Sequence, residues 1–164
     1  MRNHSSWEMT TMDLQLTSTA FSNGEAIPVT HTADGPDTSP PLAWAGAPEG
    51  TESFALICDD PDAPMGTWVH WVYYNIPPDL SSLPEGVPPV EEPPTGGSHG
   101  KNDFGRIGYG GPSPPPGRPH RYFFKLYALD TVIRLGPGAT KNMVEQAIKS
   151  CCLAEGELIG IYQR

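Results

Sequence analysis

Hydrophobic and polar positions alternate along much of this chain, and the alternation predicts mostly strands. Residues 12–18 place Leu14 and Leu16 on one face and Asp13, Gln15 and Thr17 on the other, as a half-buried strand does. Residues 26–31 predict a second, short extended piece. A turn-rich loop over 34–41 leads into Pro41-Leu42-Ala43-Trp44, and 46–51 is another turn. Residues 53–58 form a compact apolar run suited to a buried strand, ended by the prolines of Asp60-Pro61-Asp62-Ala63-Pro64. Residues 67–76 carry the strongest strand pattern. Trp68, His70, Val72 and Tyr74 fall on one face and Val69, Trp71, Tyr73 and Asn75 on the other, which predicts cover on both sides. Residues 121–130 repeat the pattern, with Tyr122, Phe124, Leu126 and Ala128 opposite Phe123, Tyr127 and Leu129. Only 140–153 has helical spacing, through Met143, Val144, Ala147, Ile148, Cys151 and Cys152. Thr140 or Asn142 caps its start and Gly156 stops it; 157–163 then predicts a last strand. The expected architecture is mainly β: two antiparallel sheets closed by Greek-key crossings, one main C-terminal helix, and short helices or turns.

Composition narrows this reading. The 164 residues suit one core, and no internal boundary divides them; we expect a flexible tail over 1–11 and a single domain over 12–164. The 18 glycines and 20 prolines lie between apolar runs, so they read as ordered loops rather than as disorder. The net charge of −9, with no basic stripe, excludes general nucleic-acid binding and broad adhesion to anionic membranes. Three cysteines, two of them adjacent (Cys151 and Cys152), do not make a secreted disulfide framework. With no apolar span and no signal-peptide pattern, the expected location is the cytoplasm, without integral membrane association. The helical pattern predicts buried positions for both Cys151 and Cys152.

Three stretches carry candidate chemistry. Asp60 and Asp62 stand two residues apart in a proline-stiffened segment; they read either as an Asx turn or as a carboxylate pair pointing one way. His70 sits in mid-strand among aromatics, where it must find partners. It is either a satisfied core histidine or a site residue. His120 opens the last long central strand and shares a face with Tyr122. Upstream of it, Tyr109-Gly110-Gly111-Pro112-Ser113-Pro114-Pro115-Pro116-Gly117 is a stiff loop whose glycines would let backbone N–H groups approach a ligand; the alternative is an ordinary connector.

Asp60-Pro61-Asp62-Ala63-Pro64, Trp68-Val69-His70-Trp71, and Gly108 to Pro112 followed by Pro119-His120-Arg121-Tyr122-Phe123-Phe124 together resemble the phosphatidylethanolamine-binding family. They are most similar to its prokaryotic, Raf-kinase-inhibitor-like branch. The resemblance runs from about Leu14 to Arg164. It implies a two-sheet β fold and a pocket for phosphate-like groups, built from Asp60, His70 and His120 and lined by Tyr122, Pro64, Gly111, Pro112 and Asp62. Prokaryotic members usually have Cys where this chain has Ser113. The resemblance also implies a homodimer.

The expected ligand is a small anion such as phosphate or a phosphoryl head group. Asp60 would fix the tautomer of a histidine, which then donates to the anion beside N–H groups of the Gly-Pro loop. No cofactor or metal is expected. Three rival readings stand beside this one. The first is an interaction module acting on a protease or kinase, through the stiff loops. The second is a hydrolase using the Asp/His pocket, although no G-x-S-x-G elbow is present. The third is a zinc site from Asp60, Asp62, His70 and His120.

Overall fold

The structure, a computed structural model, describes residues 12–164; the expected tail over 1–11 lies outside the described residues. The first predicted strand is two strands. β1 (Met12–Asp13) and β2 (Gln15–Thr17) belong to different sheets, and the chain crosses from one to the other at Leu14. The Leu14 N–H reaches the Glu155 carbonyl at 2.9 Å, and the side chains of Leu14 and Leu16 are both buried. The second predicted strand is reduced to β3 (Glu25–Ala26). Pro28 cannot donate to a ladder, and the chain turns into a single 3-10 turn, Val29–His31.

The remaining strands are β4 (Leu42–Ala45), β5 (Ser53–Asp60), β6 (Trp68–Ile76), β7 (Ser82–Leu83), β8 (Ser98–His99), β9 (His120–Leu129) and β10 (Cys152–Tyr162). The larger sheet runs β1-β10-β9-β5-β6-β8, with β3 also on β10; the smaller runs β2-β4-β7. In the larger sheet β5, β6 and β8 follow one another, and β9 returns to lie beside β5, which is a Greek key. Both sheets are antiparallel except where β1 and β3 pair parallel with β10.

Two apolar layers flank the larger sheet. Between the sheets lie Leu16, Trp44, Phe54, Leu56, Trp71, Phe124 and Leu126, and the Trp44 and Phe54 ring centroids are 5.3 Å apart. On the other face, Ala55, Ile57, Val72 and Tyr74 meet Val144 and Ile148 of helix α1 (Lys141–Lys149). All eight residues of β5 are therefore buried, as its unbroken apolar run predicts. Two of them are aspartates, and the first, Asp59, at 2% exposure, lies 2.9 Å from Lys141 Nζ and 3.5 Å from Lys125 Nζ. That pair ties the start of α1 to β5 and keeps a buried carboxylate from standing alone.

The helix begins as predicted, with Thr140 Oγ1 accepting the Met143 N–H. It ends four residues earlier than predicted, because the β9 ladder claims the following residues: Cys152 pairs with Leu129 and Ala154 with Ala128. Cys151 is buried in the turn, whereas Cys152 opens β10 half-buried. Gly156 is consequently a strand residue and not a helix stop. A Cβ at Gly156 would stand 2.4 Å from the Leu14 carbonyl oxygen, so the crossing chain fits only against glycine.

Gly156→Ala is expected to destabilise the fold by about 1–3 kcal/mol through overpacking against backbone that cannot yield. Gly136→Ala, where a Cβ meets nothing within 4 Å, should change stability by less than about 0.5 kcal/mol. Urea unfolding of the two variants makes the comparison.

Candidate functional site

Asp60 is the last residue of β5, and the chain turns immediately after it. Its Oδ1 accepts the Asp62 N–H at 2.7 Å, closing an Asx turn. Its Oδ2 accepts His120 Nδ1–H, also at 2.7 Å. The two alternatives left open by the sequence thus coexist in one carboxylate. A carboxylate can only accept here, so the contact fixes the proton on Nδ1 of His120 and leaves Nε2 as the other polar atom of that ring. Asp60 is 3% exposed and His120 8%.

The turn also explains why Asp62 does not join Asp60. The two carboxylates would point the same way only in extended chain, and residues 61–62 are a turn. Asp62 instead takes the Arg121 guanidinium as a fork, Nε to Oδ2 and Nη2 to Oδ1 at 2.9 Å each, together with the Arg121 backbone N–H at 2.9 Å. Those bonds hold the Asp62 carboxyl at about 2, against an ordinary 3.8. Its role is to clip the loop after β5 onto the start of β9.

His70 owes its orientation to a bulge. Asp59 pairs with Val69 and Cys58 with Trp71, so His70 is an extra residue on β6. Strict alternation, with His70 and Trp71 on opposite faces, is broken there: Trp71 enters the layer between the sheets, and the His70 ring packs 5.1 Å from Tyr122 and 5.4 Å from Phe104. His70 Nδ1–H donates to the Gly110 carbonyl at 2.6 Å, and the Gly110 N–H returns to the His70 carbonyl at 2.9 Å. Burial pushes the His70 pKa below its ordinary 6.5, outweighing the upward pull of the Gly110 carbonyl and the Asp60 carboxylate. This ring is therefore neutral at pH 7.

The Gly-Pro loop differs from its expected part. The Gly111 N–H is taken by Asp37 Oδ1 at 2.8 Å, and the Pro112 carbonyl accepts the Ala33 N–H at 2.9 Å. A Cβ at Gly111 would come within 2.3 Å of the His31 carbonyl oxygen. Gly111 serves close packing against the 29–37 segment and Gly110 against Phe104, and their N–H groups point to protein partners instead of a ligand. Tyr122 lies beside His120, with the rings stacked at 6.5 Å. Burial, above all, raises its pKa, so the hydroxyl keeps its proton and can donate at neutral pH.

These elements enclose a cavity of about 230 Å³. Five of the expected residues line it: Asp60, Pro64, His70, His120 and Tyr122. Asp62, Gly111 and Pro112 do not. Sequence reasoning missed much of the apolar wall, including Trp68, Phe104 and Met65. Trp68 was within reach, since it shares a face with His70 two residues away. Phe104 carried no signal, because it lies in an irregular turn held by Asn102 Oδ1. Among the described residues no group of three His, Cys, Asp or Glu side chains is arranged to hold a metal ion.

The Asp62–Arg121 clip yields a signed prediction. A carboxyl lowered in the folded state contributes stability above its unfolded pKa of about 3.9, and that contribution is lost as pH falls through about 2. Asp62→Asn should be less stable than wild type above pH 4, and the difference should close as pH approaches 2. Thermal melts across this range measure it.

Residues 17–163 match the family model described as phosphatidylethanolamine-binding protein. A UPF0098 protein of Methanothermobacter thermautotrophicus is 52% identical over 151 residues, covering 92% of this chain and 99% of the relative. UPF0098 protein YbcL of Escherichia coli is 39% identical over 159 residues, covering 91% and 87%. Among solved structures, E. coli YbcL superposes with a TM-score of 0.86 at 36% identity, covering 93% of this chain and 99% of YbcL. CT736 of Chlamydia trachomatis, a phosphatidylethanolamine-binding protein homolog, gives a TM-score of 0.83 at 39% identity, covering 93% and 98%. No helix among the described residues is long and apolar enough to cross a membrane. On these matches and on the two-sheet architecture, the chain belongs to the phosphatidylethanolamine-binding protein family.

Proposed function

We propose that the cavity binds a small oxyanion, phosphate or the phosphoryl part of a larger molecule, and that binding rather than turnover is its task. The observation that carries this reading is the pair of imidazoles, each with its Nδ1–H committed to a protein acceptor, lining one cavity. With Nδ1 spent, Nε2 is the atom each ring has left for a ligand. A neutral ring accepts from a protonated phosphate oxygen, and a protonated ring donates a charge-assisted bond. The Tyr122 hydroxyl adds a donor that does not titrate near neutrality.

A carboxylate at the base of an anion pocket needs an account. Both Asp60 oxygens already accept hydrogen bonds, one from Asp62 N–H and one from His120. Its negative charge is thereby turned toward protein donors, and an anion need not share a proton with it. The overall charge of −9 disfavours anions at long range, but beyond about 8–10 Å that field is screened at physiological salt. The family and its relative CT736 both carry phosphatidylethanolamine in their names, which makes phosphoethanolamine a sensible probe alongside inorganic phosphate.

Titration calorimetry with phosphate, phosphoethanolamine and sulfate tests the reading at several pH values. Affinity should rise as pH falls below 6.5, where the buried His70, whose protonation burial delays, takes up its proton. Sulfate, whose charge is constant over this range, should follow the same trend. His120→Ala should weaken binding by about tenfold or more, the scale of one hydrogen bond to a charged group. Affinity that is flat or higher at alkaline pH counts against the proposal. Steady turnover of phosphoesters or carboxylic esters, lost in His120→Ala, would point to a hydrolase instead.

A further inference from the structure

The 113–115 lip of the cavity takes no part in a strand ladder. Pro114 and Pro115 have no N–H to give, so at these two residues the backbone can be hydrogen-bonded to the scaffold only by donors brought to its carbonyls. Arg164 brings them. Its Nη1 donates to the Pro114 carbonyl at 3.1 Å, and its Nη2 lies 3.4 Å from Ser113 Oγ. The same guanidinium grips Asp34, with Nη2 at 2.8 Å from Oδ1 and Nε at 3.1 Å from Oδ2. Asp34 is braced in turn by the Tyr162 hydroxyl at 2.7 Å and, at its backbone N–H, by Thr32 Oγ1 at 3.2 Å. The neighbouring Gln163 Nε2 donates to the Gly117 carbonyl at 2.6 Å. Two segments distant in sequence, 32–34 and 162–164, therefore converge on the back of the lip.

We propose that Arg164 is a positioning residue: it pins the 113–115 lip to Asp34 and so sets how tightly the cavity grips an anion. The affinity half of this inference rests on the anion-binding reading above; the latch itself does not. Only arginine suits the place. Its planar fork serves a carboxylate, a carbonyl and a hydroxyl at once, whereas lysine offers one compact charge. The side chains of Arg164 and Asp34 are each about a third exposed (31% and 35%), so the pair adds little to global stability. Its consequence is local order. A lip fixed in advance spares the ligand the cost of ordering it.

The test uses Arg164→Ala and Arg164→Lys in the full chain, with NMR relaxation, phosphate calorimetry and thermal melts. The only backbone amides between Pro112 and Pro119 belong to Ser113, Gly117 and Arg118. In Arg164→Ala their order parameters should fall from about 0.85 toward about 0.6, while those of β5 and β6 stay unchanged. Phosphate affinity should drop about threefold to tenfold with the melting temperature nearly constant. Arg164→Lys should restore neither lip order nor affinity, because charge without the fork does not reach three acceptors. Unchanged order parameters in Arg164→Ala overturn the latch. A mobile lip with undiminished phosphate affinity overturns its link to binding, and so does full recovery of affinity by lysine. If the wild-type protein binds no phosphate, the anion reading and the affinity half fall together, and the order parameters alone then judge the latch.

Discussion

The hydrogen bond between Asp60 and His120 is the contact on which the rest of the site depends. It joins the last residue of one central strand to the first residue of its neighbour, across 60 positions of sequence. A carboxylate left alone at 3% exposure would carry a heavy desolvation cost, and so would an imidazole with an unpaired N–H. Paired, they close the end of the sheet. The loop after β5 is then clipped to β9 by Asp62 and Arg121, and the ring of His120 is held beside Tyr122. His70 comes to the same cavity by another route, through a bulge and a carbonyl. One site is thus built from two imidazoles with the same tautomer and different reasons for it.

Electrostatically the pocket is quieter than its residue list suggests. The aspartate is engaged on both oxygens, and burial keeps one histidine neutral at pH 7. The second buried aspartate of β5, Asp59, faces the opposite side of the sheet and is neutralised by lysines of β9 and α1. Adjacent carboxylates on one strand therefore serve separate purposes because strand geometry sends them to opposite faces. Asp59 fastens the helix; Asp60 organises the cavity.

How much of this was legible from the chain alone depends on how local each cause is. Asp60, His70, His120 and Tyr122 could be picked out because two motifs and a period-two pattern carry them. The central strands could be read because β5, β6 and β9 are long, apolar and bounded by turn residues. What failed was governed by distant partners. Gly111 looked like a ligand-facing donor, but Asp37, 74 positions away, takes its N–H. Cys152 continued a helical pattern, but pairing with Leu129 draws it into β10. Residues 12–18 alternated like one strand, yet the chain changes sheets at Leu14, which no local pattern encodes. Arg164 offered no signal at all, since its acceptors are 50 and 130 positions upstream.

The parallel pairings of β1 and β3 have a consequence for how this molecule can meet other chains. β10 would otherwise present eleven residues of open backbone on its outer side. β1 covers Ala154 and Glu155, β3 covers Gly160 and Ile161, and between them Asn23 and Gly24 bond both backbone groups of Ile159. At the other end of the sheet, β8 is only two residues long. Among the described residues neither margin leaves a long template for strand addition, a common route to amyloid-like aggregation and to augmentation by a peptide. A chain approaching this sheet would accordingly meet side chains and loops of the described residues, not a bare edge.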